Sequence, residues 1–126
     1  MTQEEKDLLL KDLCARLPYG IICEDGYGNV LELNGIDKPN TATFKCSDKT
    51  FWTTDLDKCK PYLFPLSSMT EEQTEELIKL INTDQNDNNE FMRSLCRIEF
   101  YHKNHFDYRG LIEKGLAVDA TGLNIY

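Results

Sequence analysis

With 126 residues, 40% of them hydrophobic and 29% charged, the chain has the size and composition of a single domain, expected to span 1–126. The net charge of −8 disfavours direct nucleic-acid binding, which requires a basic stripe, and no apolar run approaches the roughly 18 residues of a membrane span. The start, MTQEEKDLLLKDL, is acidic where a secretion signal would be basic, so the expected location is cytoplasmic.

Thr2 and Glu5 form a T-x-x-E capping box, and Leu9, Leu13 and Leu17 recur every four residues, with Leu8 and Leu10 beside them. This spacing predicts an amphipathic helix that Pro18 and Gly20 end. Residues 20–24 and 30–34 are short apolar runs on either side of DGYGN, whose glycines suit a hairpin loop. The G-x-G there lacks the third glycine, the following helix and the lysine of a phosphate cradle. Gly35 to Asn40 reads as a second turn. Residues 41–46 and 50–54 read as another hairpin, rich in threonine and aromatic residues.

Residues 59–69, CKPYLFPLSSM, read as an extended connector fixed by Pro61 and Pro65, with Tyr62, Leu63, Phe64 and Leu66 packing against the body. Thr70 and Gln73 form a second capping box, opening a helix whose Leu77, Ile78, Leu80 and Ile81 are the expected buried side. Asn82 to Asn89 is a polar loop. A third helix over 90–101 is expected to bury Phe91, Leu95 and Ile98, spaced four and three apart.

The charge is uneven. Between residues 70 and 90, Glu71, Glu72, Glu75, Glu76, Asp84, Asp87 and Glu90 face only Lys79. Such a surface suits a basic partner, or competition with nucleic acid for a basic groove. The five cysteines, Cys14, Cys23, Cys46, Cys59 and Cys96, are odd in number, widely spaced and without a CxxC. They read as small buried hydrophobes rather than a disulfide framework or a zinc site.

Residues 104–116, NHFDYRGLIEKGL, carry two readings. As structure, Asp107 caps a short helix over 108–114, Phe106 and Leu111 staple its start, and Gly115 with Leu116 closes it in a Schellman motif. As chemistry, His102, His105 and Asp107 make an H-x-x-H-x-D set that could serve a metal-dependent or thiol hydrolase. Two histidines three apart can face one metal ion, but the glutamate of H-E-x-x-H is missing. Cys96 with His102, or Ser67 or Ser68 with His105, would be the nucleophile pairs. Capping leaves His105, Tyr108 and Arg109 unexplained, which makes them the candidate binding residues. Arg109 could otherwise pair with Glu113 one turn on.

Three blocks carry a resemblance: LLLKDLCARLPYG (8–20), CKPYLFPLSSMTEEQ (59–73) and NHFDYRGLIEKGLAVDATGLNIY (104–126). In these the chain resembles a group of small uncharacterised proteins of gut Bacteroidales and their bacteriophages. The resemblance implies a cytosolic accessory protein carried on a phage or mobile element, and it brings no catalytic residue. It also implies that residues 105–116 belong to the family framework.

The expected fold is α+β: a small antiparallel β-meander of about four strands packed with an N-terminal helix and C-terminal helices. The expected function is a non-enzymatic, acidic protein-interaction protein whose partner is another protein, with no cofactor, no direct nucleic acid and no membrane. The hydrolase centred on His102, His105 and Asp107 is one alternative. A nucleic-acid-mimicking inhibitor of a defence enzyme, acting through Glu71, Glu72, Glu75 and Glu76, is the other.

Overall fold

A computed structural model describes residues 1–37, 40–46, 48–82 and 90–126 of the chain. Helix α1 (Gln3–Arg16) begins at the expected capping box: the Thr2 side chain accepts from Glu5 N, and the Glu5 carboxylate accepts from Thr2 N. One 3₁₀ turn, Leu17–Tyr19, follows, and Gly20 closes it in the left-handed region at φ 76°. Four strands come next: β1 (Ile22–Glu24), β2 (Val30–Asp37), β3 (Thr41–Lys45) and β4 (Phe51–Asp55). They pair antiparallel, each with its sequence neighbour.

The expected turn at Gly35 is instead strand. β2 runs on to Asp37, and the register with β3 shifts between Leu33 and Gly35. A β-bulge absorbs the glycine without ending the pairing.

The meander is only part of the sheet, which among the described residues has seven strands and is mixed. The segment expected as a connector holds β5 (Lys60–Pro65), antiparallel to β1. On β5, β6 (Phe106–Asp107) and β7 (Val118–Asp119) add short parallel pairings. The strand order is β4-β3-β2-β1-β5-β6, with β7 also on β5. The prolines concealed β5. Pro61 and Pro65 lie near its two ends, where a missing N–H costs least.

Leu9 and Leu13 of α1 pack on Ile21, Cys23, Leu33, Phe44, Leu56 and Leu63, and Leu111 and Leu116 complete this main core. Each such buried aliphatic side chain contributes on the order of 1.5–3 kcal/mol. Helices α2 (Glu71–Ile81) and α3 (Glu90–Lys103) attach through a smaller cluster of Leu77, Phe100 and Phe106, with Phe64, Met69, Ile81 and Tyr101 against it. The Thr70–Gln73 capping box is present at the start of α2.

Two burial expectations fail on this hairpin. Ile78 and Leu80 of α2 are exposed, and so are Phe91, Leu95 and Ile98 of α3. The main core already lies between α1 and the sheet, so the hairpin meets the body through its Leu77–Phe100 end and the last turn of α3. Of the five thiols, all free, only Cys23 and Cys59 are buried, and Cys14 is exposed. The polar loop expected at 82–89 lies, apart from Asn82, outside the described residues. Among the described residues, no helix is long and apolar enough to cross a membrane.

Candidate functional site

The chemically rich residues meet at a junction of α1, the end of α3 and the segment after β6. Asp12 and Arg16 share the buried stripe of α1 with Leu9 and Leu13, and both are fully buried. Arg16 Nε donates to Asp12 Oδ2 (2.8 Å), and Arg16 Nη2 donates to the Phe106 carbonyl (2.6 Å). The other Asp12 oxygen accepts from Arg109 Nε (3.1 Å). One carboxylate thus bridges two guanidiniums. Arg109 pairs with Asp12, not with Glu113.

Tyr108 joins this cluster to the histidine. Arg109 Nη2 donates to the Tyr108 hydroxyl (2.8 Å), which lies 2.7 Å from His102 Nε2. A hydroxyl that accepts from arginine is free to donate, and the tautomer of a neutral His102 with its proton on Nδ1 and Nε2 accepting matches that donor. Burial, then the nearby Arg16 charge, lowers the His102 pKa and supports the same state. The guanidinium carbons of Arg109 and Arg16 lie 4.9 and 5.5 Å from the Tyr108 ring centroid.

His102 is buried. It leans on Tyr19 and Tyr108, with centroids 5.9 and 5.4 Å away.

His105 has a different task. Its backbone is left-handed, at φ 61°, and its N–H donates to His102 O just beyond α3. That is the helix-terminating position usually given to glycine, costing about 1–2 kcal/mol in a side-chain-bearing residue. The chain then turns so that His105 O accepts from Phe64 N, starting the β5–β6 pairing. The ring stacks on Tyr126 with centroids 3.6 Å apart and planes 10° apart. Its Nδ1 is buried without a hydrogen bond among the described residues. Burial, then Arg16, lowers its pKa to about 4.

Asp107 does cap, but not the helix expected. Its two oxygens accept from Leu111 N and Ile112 N, both at 3.0 Å. Residues 108–110 form a loop rather than a helical turn, because Tyr108 and Arg109 are drawn to α1 and Gly110 takes φ 74°. A single turn follows. Gly115 at φ 74° donates to Ile112 O, and Leu116 N donates to Leu111 O, so the Schellman closure is present without the helix.

The hydrolase constellation is therefore dispersed. His102 bonds Tyr108, His105 stacks on Tyr126, and Asp107 serves backbone amides. Among the described residues, no three His, Cys, Asp or Glu side chains are placed to hold a metal ion. The Ser68 hydroxyl is committed to the Pro65 carbonyl at 2.6 Å. Ser67 lines an open cavity of about 380 Å³ with Asp107, Tyr108, Gly110 and Glu113, away from the stacked His105 ring.

Of the candidate binding residues, Tyr108 and Arg109 meet in one network, while His105 stands apart. Asp12 and Arg16 escaped the sequence reading. Their signal was a charged i,i+4 pair on the same stripe as Leu9 and Leu13. The acidic set Glu71, Glu72, Glu75 and Glu76 is exposed on α2. No protein-family model matches the chain, and comparison with curated proteins and with solved structures likewise finds no match.

Proposed function

We propose that this chain is a non-enzymatic, acidic interaction protein of the cytoplasm, accessory to a phage or mobile element, that docks a partner protein through the α2–α3 hairpin. The carrying observation is the apolar stripe of α3. Phe91 is 69% exposed, and Leu95 and Ile98 are each 37% exposed, at one-face spacing. Full burial of such side chains against a partner would contribute about 1.5–3 kcal/mol each.

Charge points to the partner's chemistry. The adjoining α2 exposes four glutamates against Lys79. Helix α3 itself carries Arg93, Arg97 and Lys103 against Glu90 and Glu99, so the negative charge lies on the α2 side, and an apolar groove with Lys or Arg along that rim fits both features. The polar cluster beneath supports α3 against the body: apart from Arg16 Nη1, buried without a hydrogen bond among the described residues, its groups bond within the fold.

A photocrosslinker at Leu95, in cells, tests this reading. The expected product is a discrete partner whose crosslinked peptide carries basic residues beside apolar ones. That product should be lost in Phe91→Glu and kept in His105→Ala. Crosslinks only between copies of the chain would contradict it. Capture of a nucleic-acid enzyme, lost on Glu→Gln change at 71, 72, 75 and 76 but kept in Phe91→Glu, would favour mimicry instead.

A further inference from the structure

We propose that two copies of this chain associate edge to edge through β4, antiparallel, across a twofold axis at Thr53. β4 terminates the sheet, and among the described residues it pairs with β3 alone. At the other end β6 and β7 are two residues each, and so short an edge offers little to pair with. β4 has five residues, with Phe51 60% and Trp52 41% exposed.

The ladder shows which backbone groups are open. Cys46 N donates to Thr50 O at one end, and Leu56 N donates to Asn40 O at the other. Bonded and non-bonded pairs alternate in an antiparallel ladder. Trp52 and Thr54 therefore turn their amides to β3, while Phe51, Thr53 and Asp55 turn theirs outward. These outward positions are symmetric about Thr53. A twofold axis there sets Thr53 against its own copy and Phe51 against Asp55 of the second chain, satisfying every outward donor and acceptor.

Charge selects a second copy. The chain as a whole carries −8, yet around this edge Lys45, Lys49 and Lys58 balance Asp48, Asp55 and Asp57. Lys45 stands across from Phe51 on β3, and Asp55 ends β4, exposed and 3.8 Å from Lys58 of its own copy. The twofold axis brings the Lys45 flank of each copy beside the Asp55 end of the other, giving two opposite-sign approaches where the rest of the surface repels.

The rim is also held in place. The buried Asp25 carboxylate accepts from Tyr27 N (2.8 Å), Asn29 N (3.1 Å) and Asn29 Nδ2 (2.9 Å). Burial pushes its pKa up, but these bonds and one from the Trp52 side chain leave it below the ordinary carboxylate value. A side chain at Gly26 (φ 88°) would strike Lys58 O at 2.9 Å. The loop so fixed sets Tyr27 edge-on to Trp52, with centroids 6.0 Å apart. Trp52 is thereby presented open at the rim, where Thr54 of the second copy would cover it.

Five paired residues make a small interface, so the dimer is weak and forms with rising concentration. Sedimentation velocity from about 5 to 500 μM tests this. The expected result is a monomer–dimer shift, weakened about tenfold or more by Phe51→Asp, which sets Asp against Asp55 twice. Mixing Phe51→Asp with Asp55→Lys should restore association, a rescue that only this register gives. Thr53→Pro, which removes an outward N–H, should also abolish it, with far-UV circular dichroism confirming the fold. A monomer at every concentration overturns the proposal. So does a dimer indifferent to Phe51→Asp and Thr53→Pro, or one lost instead in Leu95→Glu.

Discussion

Helix α3 contains two opposite regions. Its C-terminal turn carries Phe100 and His102 into the interior, where histidine, tyrosine and two arginines close around Asp12. Its earlier turns carry Phe91, Leu95 and Ile98 outward. The residues with chemical potential are enclosed, and the residues with none are displayed. Side-chain type alone would assign the two regions the other way round. What decides is whether another element lies opposite: α1 and the loop after β6 cover the last turn of α3, and no described element covers Phe91.

The sharpest break in this contrast is Asp12→Ala. It strands Arg16 and leaves Arg109 without its carboxylate, and it should cost about 3–5 kcal/mol in urea unfolding. A loss under about 1 kcal/mol would mean that the cluster is not a support.

Acid comes next. Both histidines have pKa values lowered by the fold, so the unfolded chain binds more protons in acid. Stability is full above about pH 6.5 and falls as the pH drops toward 4. Allowing for the partial exposure of His105, the loss is about 1–2 kcal/mol. Unfolding curves at pH 7 and pH 5 check it, and His105→Gln should flatten the dependence.

Tyr108→Phe removes the hydroxyl between Arg109 and His102 and should cost about 1–1.5 kcal/mol. Losing the donor to the neutral ring should also raise the pKa of His102, visible in its ring-proton titration. The smallest effect belongs to the displayed region. Phe91→Glu and Leu95→Glu should change stability by no more than about 0.5 kcal/mol while removing partner capture.

What the sequence revealed follows from distance along the chain. The two capping boxes, the Schellman closure at Gly115 and the strands of the β1–β4 meander depend on neighbours within a few residues, and all are legible. β5 was hidden because its prolines argue against a strand, and its parallel partners lie beyond α3. The helix expected over 108–114 failed for a nonlocal reason, since Arg109 reaches back to an aspartate at the other end of the chain. Gly110 inside that pattern was the local warning. The burial expected of Phe91, Leu95 and Ile98 rested on period alone, and period identifies a face without saying what covers it.

The most direct test of the central claim is a proton NMR titration of the two histidine rings in the folded protein. His105 should reach half-protonation near pH 4, and His102 should titrate below the ordinary imidazole value. Rings that both titrate near 6.5, as free imidazoles do, would mean that the segment is open to solvent and available as a site.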